Sequence, residues 1–117
     1  MEKAAIIVLA DTESHGDLAR MSLAMVAVKE FKEANLDVKL IMEGAGTKWI
    51  GKLSEPSNKM HHLYEGIKDK IEVCSFCSRS FGTQDIAIKE GLHLLDEYKG
   101  HPSVKKLVLE NYEVLIY

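Results

Sequence analysis

The sequence predicts an α/β fold, doubly wound around a parallel sheet. Short apolar runs rich in Ile and Val alternate with segments of helical periodicity along the chain. The first run, Lys3 to Ala10, is almost continuously apolar, which is typical of a strand buried on both faces of a parallel sheet. Strands that alternate with helices in this way form βαβ units with right-handed crossovers.

The longest predicted helix follows the loop Asp11 to Gly16. Its apolar side chains recur at helical spacing, Asp17 is the expected N-cap, and Asn35 is expected to end the helix. The apolar positions are Leu18, Met21, Met25, Val28 and Phe31.

Shorter elements complete the predicted pattern. We expect further strands at Val38 to Met42, Ile71 to Cys74, Leu92 to Leu95 and Tyr112 to Tyr117. We expect helices at Thr47 to Leu53, Ser57 to Lys70, Ser75 to Phe81, Thr83 to Glu90, and from Pro102 through Glu110. Proline at a first turn costs no hydrogen bond, so Pro102 can open the last helix. Ligands of such sheets bind beyond the carboxyl ends of the strands, where we expect the site.

Composition restricts the classes of function. A chain of 117 residues, 46% of them hydrophobic, can bury one core, so we expect a single domain spanning residues 1–117. The formal charge is -3 with both signs interspersed, and nucleic-acid binding is not expected. No apolar run approaches the roughly 18 residues of a membrane span, and charged residues interrupt the apolar start. We therefore expect a cytoplasmic protein without membrane contact.

Both cysteines of the chain lie in the segment VCSFCSRSFG, Val73 to Gly82. In a reducing compartment such a pair favours redox, metal or sulfur chemistry over a permanent disulfide. A helix N-terminus stabilises a thiolate, and Arg79 can add to that effect. A lowered pKa would make Cys74 or Cys77 a nucleophile able to carry sulfane sulfur as a persulfide. The alternative is that Cys74 is only a small apolar core residue.

The CxxC also suggests zinc, with His15, His61, His62, His93 or His101 as further ligands, but we expect neither a metal site nor a cofactor and keep a metal-binding protein as a third alternative. A lone CxxC lacks the second ordered pair of ligands found in zinc fingers and ribbons. The adjacent His61 and His62 point in different directions if they lie on a helix, and we expect both to be partly exposed helix residues.

Two other segments offer histidines near the same edge of the sheet. The loop ADTESHGD places His15 where it can act as an acid, a base or a thiolate partner, or merely help to begin the next helix. The stretch GHPSVKKL places His101 before a turn and a helix start. His101 reaches the thiols if the chain returns to that edge.

Gly44 and Gly46 follow the second predicted strand. The segment GTKWIGKL, Gly46 to Leu53, has the glycine and lysine spacing of a phosphate-binding loop but ends in Leu53 where Ser or Thr must bind magnesium. Nucleotide hydrolysis is therefore not expected. The two glycines permit a sharp turn. Binding of a small anion at the start of the following helix is kept as an alternative.

The sequence resembles the DsrE/DsrF-like family of small α/β proteins nearly from end to end. The segments that carry the resemblance are ADTESHGDLARMSLAMVAVKEF, VKLIMEGAG, VCSFCSRSFG and GHPSVKKLVLENYEVLIY. The resemblance implies a Rossmann-like three-layer sandwich with a mostly parallel sheet of about five strands. It also implies assembly into homotrimers or homohexamers.

For function, the resemblance implies a sulfur relay. Relay members of that family hold a persulfide on one cysteine at the end of the third strand and pass it to a partner protein. Cys74 matches that position, whereas Cys77 is an addition to the single-cysteine pattern. We therefore expect a sulfurtransferase-type sulfur carrier with donor and acceptor proteins as partners. The alternative is a non-catalytic oligomeric module that binds a small ligand or a partner and whose cysteines are structural.

Overall fold

The computed structural model describes residues 2–117, and its five strands form one sheet of order β4-β3-β2-β1-β5. Every neighbouring pair is parallel; for example, Ile6 of the first strand lies opposite Leu40 on one side and Leu115 on the other. The strands are β1 (Lys3–Val8), β2 (Asp37–Met42), β3 (Ile71–Cys74), β4 (His93–Leu95) and β5 (Glu113–Ile116). The predicted α/β class is confirmed, and the sheet is parallel throughout.

The helices are shorter than the sequence predicts, except for the first. They are α1 (His15–Glu33), α2 (Trp49–Leu53), α3 (His61–Ile67), α4 (Ser75–Ser80), α5 (Gln84–Lys89) and α6 (Val104–Leu109), with 3₁₀ turns at Gly44–Lys48 and Lys68–Lys70. Pro102 precedes α6 and does not open it, because the hydroxyl of Ser103 accepts the backbone N–H of Lys106 and makes Ser103 the N-cap. Within residues 2–117 no helix has the length and apolar character needed to span a membrane.

The two faces of the sheet are covered unequally. The larger core joins buried strand residues such as Ile6 and Leu40 to side chains of the first helices, including Met25 of α1 and Ile50 of α2. On the opposite face, Leu107 of α6 packs against Ala5, Ile7, Ile41 and Leu95. Right-handed crossovers explain this division. The chain adds β1 to β4 in one direction along the sheet, so the helices between them cover one face, whereas the connection from β4 to β5 runs back across the sheet and places α6 on the other face.

The start of α1 differs from the prediction. Ser14 is the N-cap, and its hydroxyl accepts the backbone N–H of Asp17 at 3.0 Å. Asp17 lies in the first turn, where its negative charge favours the positive end of the helix dipole. The N-cap is therefore Ser14, the residue in extended conformation directly before the helix. At the other end, Asn35 has a φ of 59° and lies just beyond the last residue of α1, as predicted.

We predict that Ser14→Ala lowers the free energy of unfolding by about 1 kcal/mol, since it removes a helix N-cap at an exposed position. Ser14→Asp keeps a side-chain acceptor there and is expected to leave stability nearly unchanged. Urea unfolding followed by circular dichroism measures both. Equal losses in the two variants would contradict the capping role.

Candidate functional site

Three side chains meet beyond the carboxyl ends of β3 and β4. Sγ of Cys74 lies 3.2 Å from Nδ1 of His101, and Sγ of Cys77 lies 4.0 Å from the same nitrogen. We term Cys74, Cys77 and His101 the thiol–histidine cluster. The cluster is at the edge where ligands of parallel α/β sheets bind.

Cys74 forms the inner part of the cluster. It is the last residue of β3, and it is also the N-cap of α4, where its sulfur accepts the backbone N–H of Cys77 at 3.3 Å. Its side chain is fully buried, and this burial raises the pKa of the thiol to about 12, with the neighbouring Cys77 and Glu43 adding to the rise. Burial of Cys74 therefore opposes the thiolate that the helix N-terminus favours, because desolvation outweighs the hydrogen bond from the backbone N–H of Cys77.

Cys77 forms the outer part of the cluster. It lies about one helical turn after Cys74 and is only partly buried. The end of β3 and the following short helix thus carry one fully buried thiol and one partly exposed thiol. Of the two thiols, Cys77 is therefore the more accessible to a reagent or a partner protein.

A tight turn holds His101 over the thiols. Tyr98 and His101 exchange backbone hydrogen bonds of 2.8 Å in both directions. The two residues between them have positive φ, 50° at Lys99 and 84° at Gly100, which is the backbone geometry of a type I′ turn. Phe76 secures the turn to α4, since its backbone N–H donates to the Gly100 carbonyl at 2.9 Å and its ring centroid lies 4.7 Å from that of the imidazole.

Glu43 is a fourth residue of this region, and it is not among the site residues predicted from the sequence. It follows β2 directly and is partly buried. Burial raises the pKa of its carboxyl group, and a positive charge on His101 lowers it in part. Its position immediately after a predicted buried strand is the signal that could have identified it, because the carboxyl ends of parallel strands share one edge.

The structure places His15 and Arg79 outside the thiol–histidine cluster. His15 begins α1 and lines a shallow groove together with Asn58 and Met60. Arg79 is exposed in the last turn of α4, and its guanidinium approaches the Gly100 turn from outside. Of the two histidines proposed for this edge, His101 is the one brought to the thiols.

Gly44 and Gly46 shape the turn between β2 and α2. Gly44 has a φ of 56°, a left-handed conformation that glycine adopts without strain. Gly46 is buried against β1, and a Cβ atom at this position would stand 2.1 Å from the carbonyl oxygen of Val8. Both glycines therefore have a steric function in the turn that carries Glu43.

Comparisons with known proteins give a relative and a structural neighbour. The chain is 30% identical over 95 residues to the uncharacterised protein MJ0733 of Methanocaldococcus jannaschii. The aligned segment covers 81% of this chain and 78% of that protein. A conserved protein of unknown function, BT1422 from Bacteroides thetaiotaomicron, superposes with a TM-score of 0.64 at 17% identity, over 97% of this chain and 94% of that one. The chain matches no family model. The likeness to BT1422 supports the fold alone.

Proposed function

Because the chain belongs to the same family as the uncharacterised protein MJ0733 of Methanocaldococcus jannaschii, whose name states no activity, we propose a function from the chain's own site. The proposed function of the protein is that of a sulfur carrier of sulfurtransferase type, which holds a sulfane sulfur as a persulfide within the thiol–histidine cluster. The observation that carries the proposal is the pairing of a reachable thiol, Cys77, with a buried thiol, Cys74, on one imidazole nitrogen.

Exposure decides which thiol receives the sulfur. Cys74 has no exposed surface, so a donor persulfide cannot approach its sulfur without an opening of the structure. Cys77, by contrast, is partly exposed, and its sulfur contacts the same imidazole nitrogen as that of Cys74. The proposed entry residue is therefore Cys77, and Cys74 lies behind it as the thiol that can share the sulfur.

The transfer balances without an external oxidant or reductant. The Cys77 thiolate attacks the outer sulfur of a donor persulfide, so that a new sulfur–sulfur bond forms on Cys77 and the donor bond breaks. The donor leaves as a thiolate, and the Cys77 thiol proton passes to it, with Nδ1 of His101 placed to accept that proton on the way. The Cys74 thiolate can then attack the outer sulfur of the Cys77 persulfide, which moves the persulfide to Cys74 and releases Cys77 as a thiolate.

The resemblance to DsrE/DsrF-like proteins supports the same class of function and differs in one detail. It places the persulfide on Cys74 at the end of β3, whereas the exposure of the two thiols favours Cys77 as the first acceptor. We propose, on that resemblance, a homotrimer or homohexamer that works between a sulfur donor protein and an acceptor protein in the cytoplasm. A module that binds a ligand without using its thiols is the alternative that the experiment must exclude.

Intact mass spectrometry after incubation with a polysulfide donor tests the proposal. We expect the reduced wild-type protein to gain the mass of one sulfur atom, and a reductant to reverse the gain. Cys77→Ser is expected to abolish the gain, and Cys74→Ser is expected to retain it on the remaining thiol. Circular dichroism of each variant establishes that the fold is kept.

The remaining outcomes separate the alternatives. A gain that disappears only in Cys74→Ser would support a carrier and overturn the assignment of Cys77 as the entry residue. No gain in the wild type, with both cysteines shown to be reduced, would overturn the carrier and leave the binding module as the better account.

A further inference from the structure

The thiol–histidine cluster also meets the requirements of a metal site. Its three ligand atoms, Sγ of Cys74, Sγ of Cys77 and a ring nitrogen of His101, all lie within 4.8 Å of one another. Two thiolates and an imidazole are ligands that Zn²⁺ prefers and that Mg²⁺ and Ca²⁺ do not. Motif spacing does not show that these three residues meet, because His101 lies 24 residues after Cys77 along the chain.

The two sulfur to nitrogen distances lie near the value for tetrahedral coordination. Bond lengths of about 2.3 Å to sulfur and about 2.0 Å to nitrogen place a sulfur and a nitrogen ligand roughly 3.6 Å apart. The two sulfur to nitrogen distances in the cluster are 3.2 and 4.0 Å, one on either side of that value. A shift of a few tenths of an ångström at the partly buried Cys77 would shorten the longer distance, and a similar shift of the imidazole away from Cys74 would lengthen the shorter one.

The surrounding backbone holds the ligand atoms in place before any metal binds. Cys74 is positioned by the end of β3 and by the N–H of Cys77, which donates to its sulfur. The imidazole is positioned by the Tyr98 to His101 turn and by the contact of its ring with Phe76. Little conformational entropy is left to lose when a metal joins the three side chains.

We propose that Cys74, Cys77 and Nδ1 of His101 bind one Zn²⁺ ion through three protein ligands and leave the fourth position open to solvent. Zinc deprotonates the thiols that it binds, so the two thiolates neutralise its charge, and the remaining imidazole proton then lies on Nε2. Three protein ligands with one open position distinguish catalytic zinc sites from closed structural ones. This site goes beyond the sulfur carrier, and because it uses the same two sulfur atoms, zinc and sulfane sulfur exclude each other.

Metal titration of the reduced, metal-free full chain tests the site. We expect one Zn²⁺ per chain in competition with a chromophoric chelator, and one Co²⁺ with the strong thiolate charge-transfer absorption of cysteine-bound cobalt. Cys77→Ser and His101→Gln are each expected to weaken Zn²⁺ binding at least about 100-fold. His62→Gln, a change at an exposed histidine of α3, is the matched control and is expected to bind zinc like the wild type. Mg²⁺ is expected not to compete.

The outcomes keep this site distinct from the sulfur carrier. Absence of stoichiometric zinc in folded wild-type protein would overturn the metal site, and so would unchanged affinity in folded His101→Gln, because binding would then need only the thiols. Sulfur loading is measured on the same samples. Zinc added first is expected to block that loading, and a chelator is expected to restore it. Sulfur loading without zinc binding would leave the carrier standing alone, and zinc binding without sulfur loading would leave the metal site alone.

Discussion

Gly46→Ala is expected to lower the free energy of unfolding by roughly 3 kcal/mol, a large part of the about 5 to 15 kcal/mol typical of a domain. The Cβ atom would stand 2.1 Å from the carbonyl oxygen of Val8 and 2.9 Å from its carbonyl carbon, and both belong to backbone at the end of a central strand. No side chain can rotate to relieve this contact, so β1 and the 3₁₀ turn must move apart. The midpoint of urea unfolding is expected to fall by about 1 to 2 M.

Gly51→Ala provides the control for Gly46→Ala. Gly51 lies in α2, a few residues further along, and a Cβ atom there would meet nothing within 4 Å. Alanine is favoured over glycine in a helix by roughly 0.5 to 1 kcal/mol, so this variant is expected to be slightly more stable than the wild type. Equal midpoints for Gly46→Ala and the wild type would show that the close approach to β1 is absent in solution.

The two cysteines are expected to differ at least about 100-fold in their rate of alkylation in the folded protein. Cys77 is partly exposed, whereas Cys74 has no exposed surface and reacts only when the structure opens. The raised pKa of Cys74, about 12, acts in the same direction, because it leaves very little of the reactive thiolate at neutral pH. A short pulse of iodoacetamide, followed by peptide mass spectrometry, measures both rates.

The single variants serve as controls for the alkylation experiment. Cys77→Ser leaves only Cys74, which is expected to stay protected until denaturant is added. Cys74→Ser leaves only Cys77, which is expected to react as in the wild type. Similar rates for the two thiols in native buffer would contradict the inner and outer arrangement, and with it the assignment of Cys77 as the entry residue for sulfur.

Local patterns were sufficient to predict most of the framework. The continuous apolar run of β1 reflects burial on both faces of the strand, and the helical spacing of apolar residues in α1 reflects burial of one face of the helix. Both kinds of burial can be predicted from the order of apolar and polar residues alone. The ends of elements were predicted less well, because caps depend on which side chain meets a free backbone N–H. Ser14 and Ser103 make those contacts at the starts of α1 and α6, where Asp17 and Pro102 had been expected to act.

The sequence by itself determined the parallel α/β class, the strand that ends at Cys74, and the one-turn separation of the two thiols. Only the tertiary structure decided that Cys74 is buried while Cys77 is partly exposed, and that Glu43 and His101 join them. The reason is that these side chains come from the ends of different strands and from a turn that Tyr98 and His101 close around Lys99 and Gly100. Their meeting depends on the order of strands in the sheet and on the hydrogen bond from Phe76 to that turn, which no local pattern records.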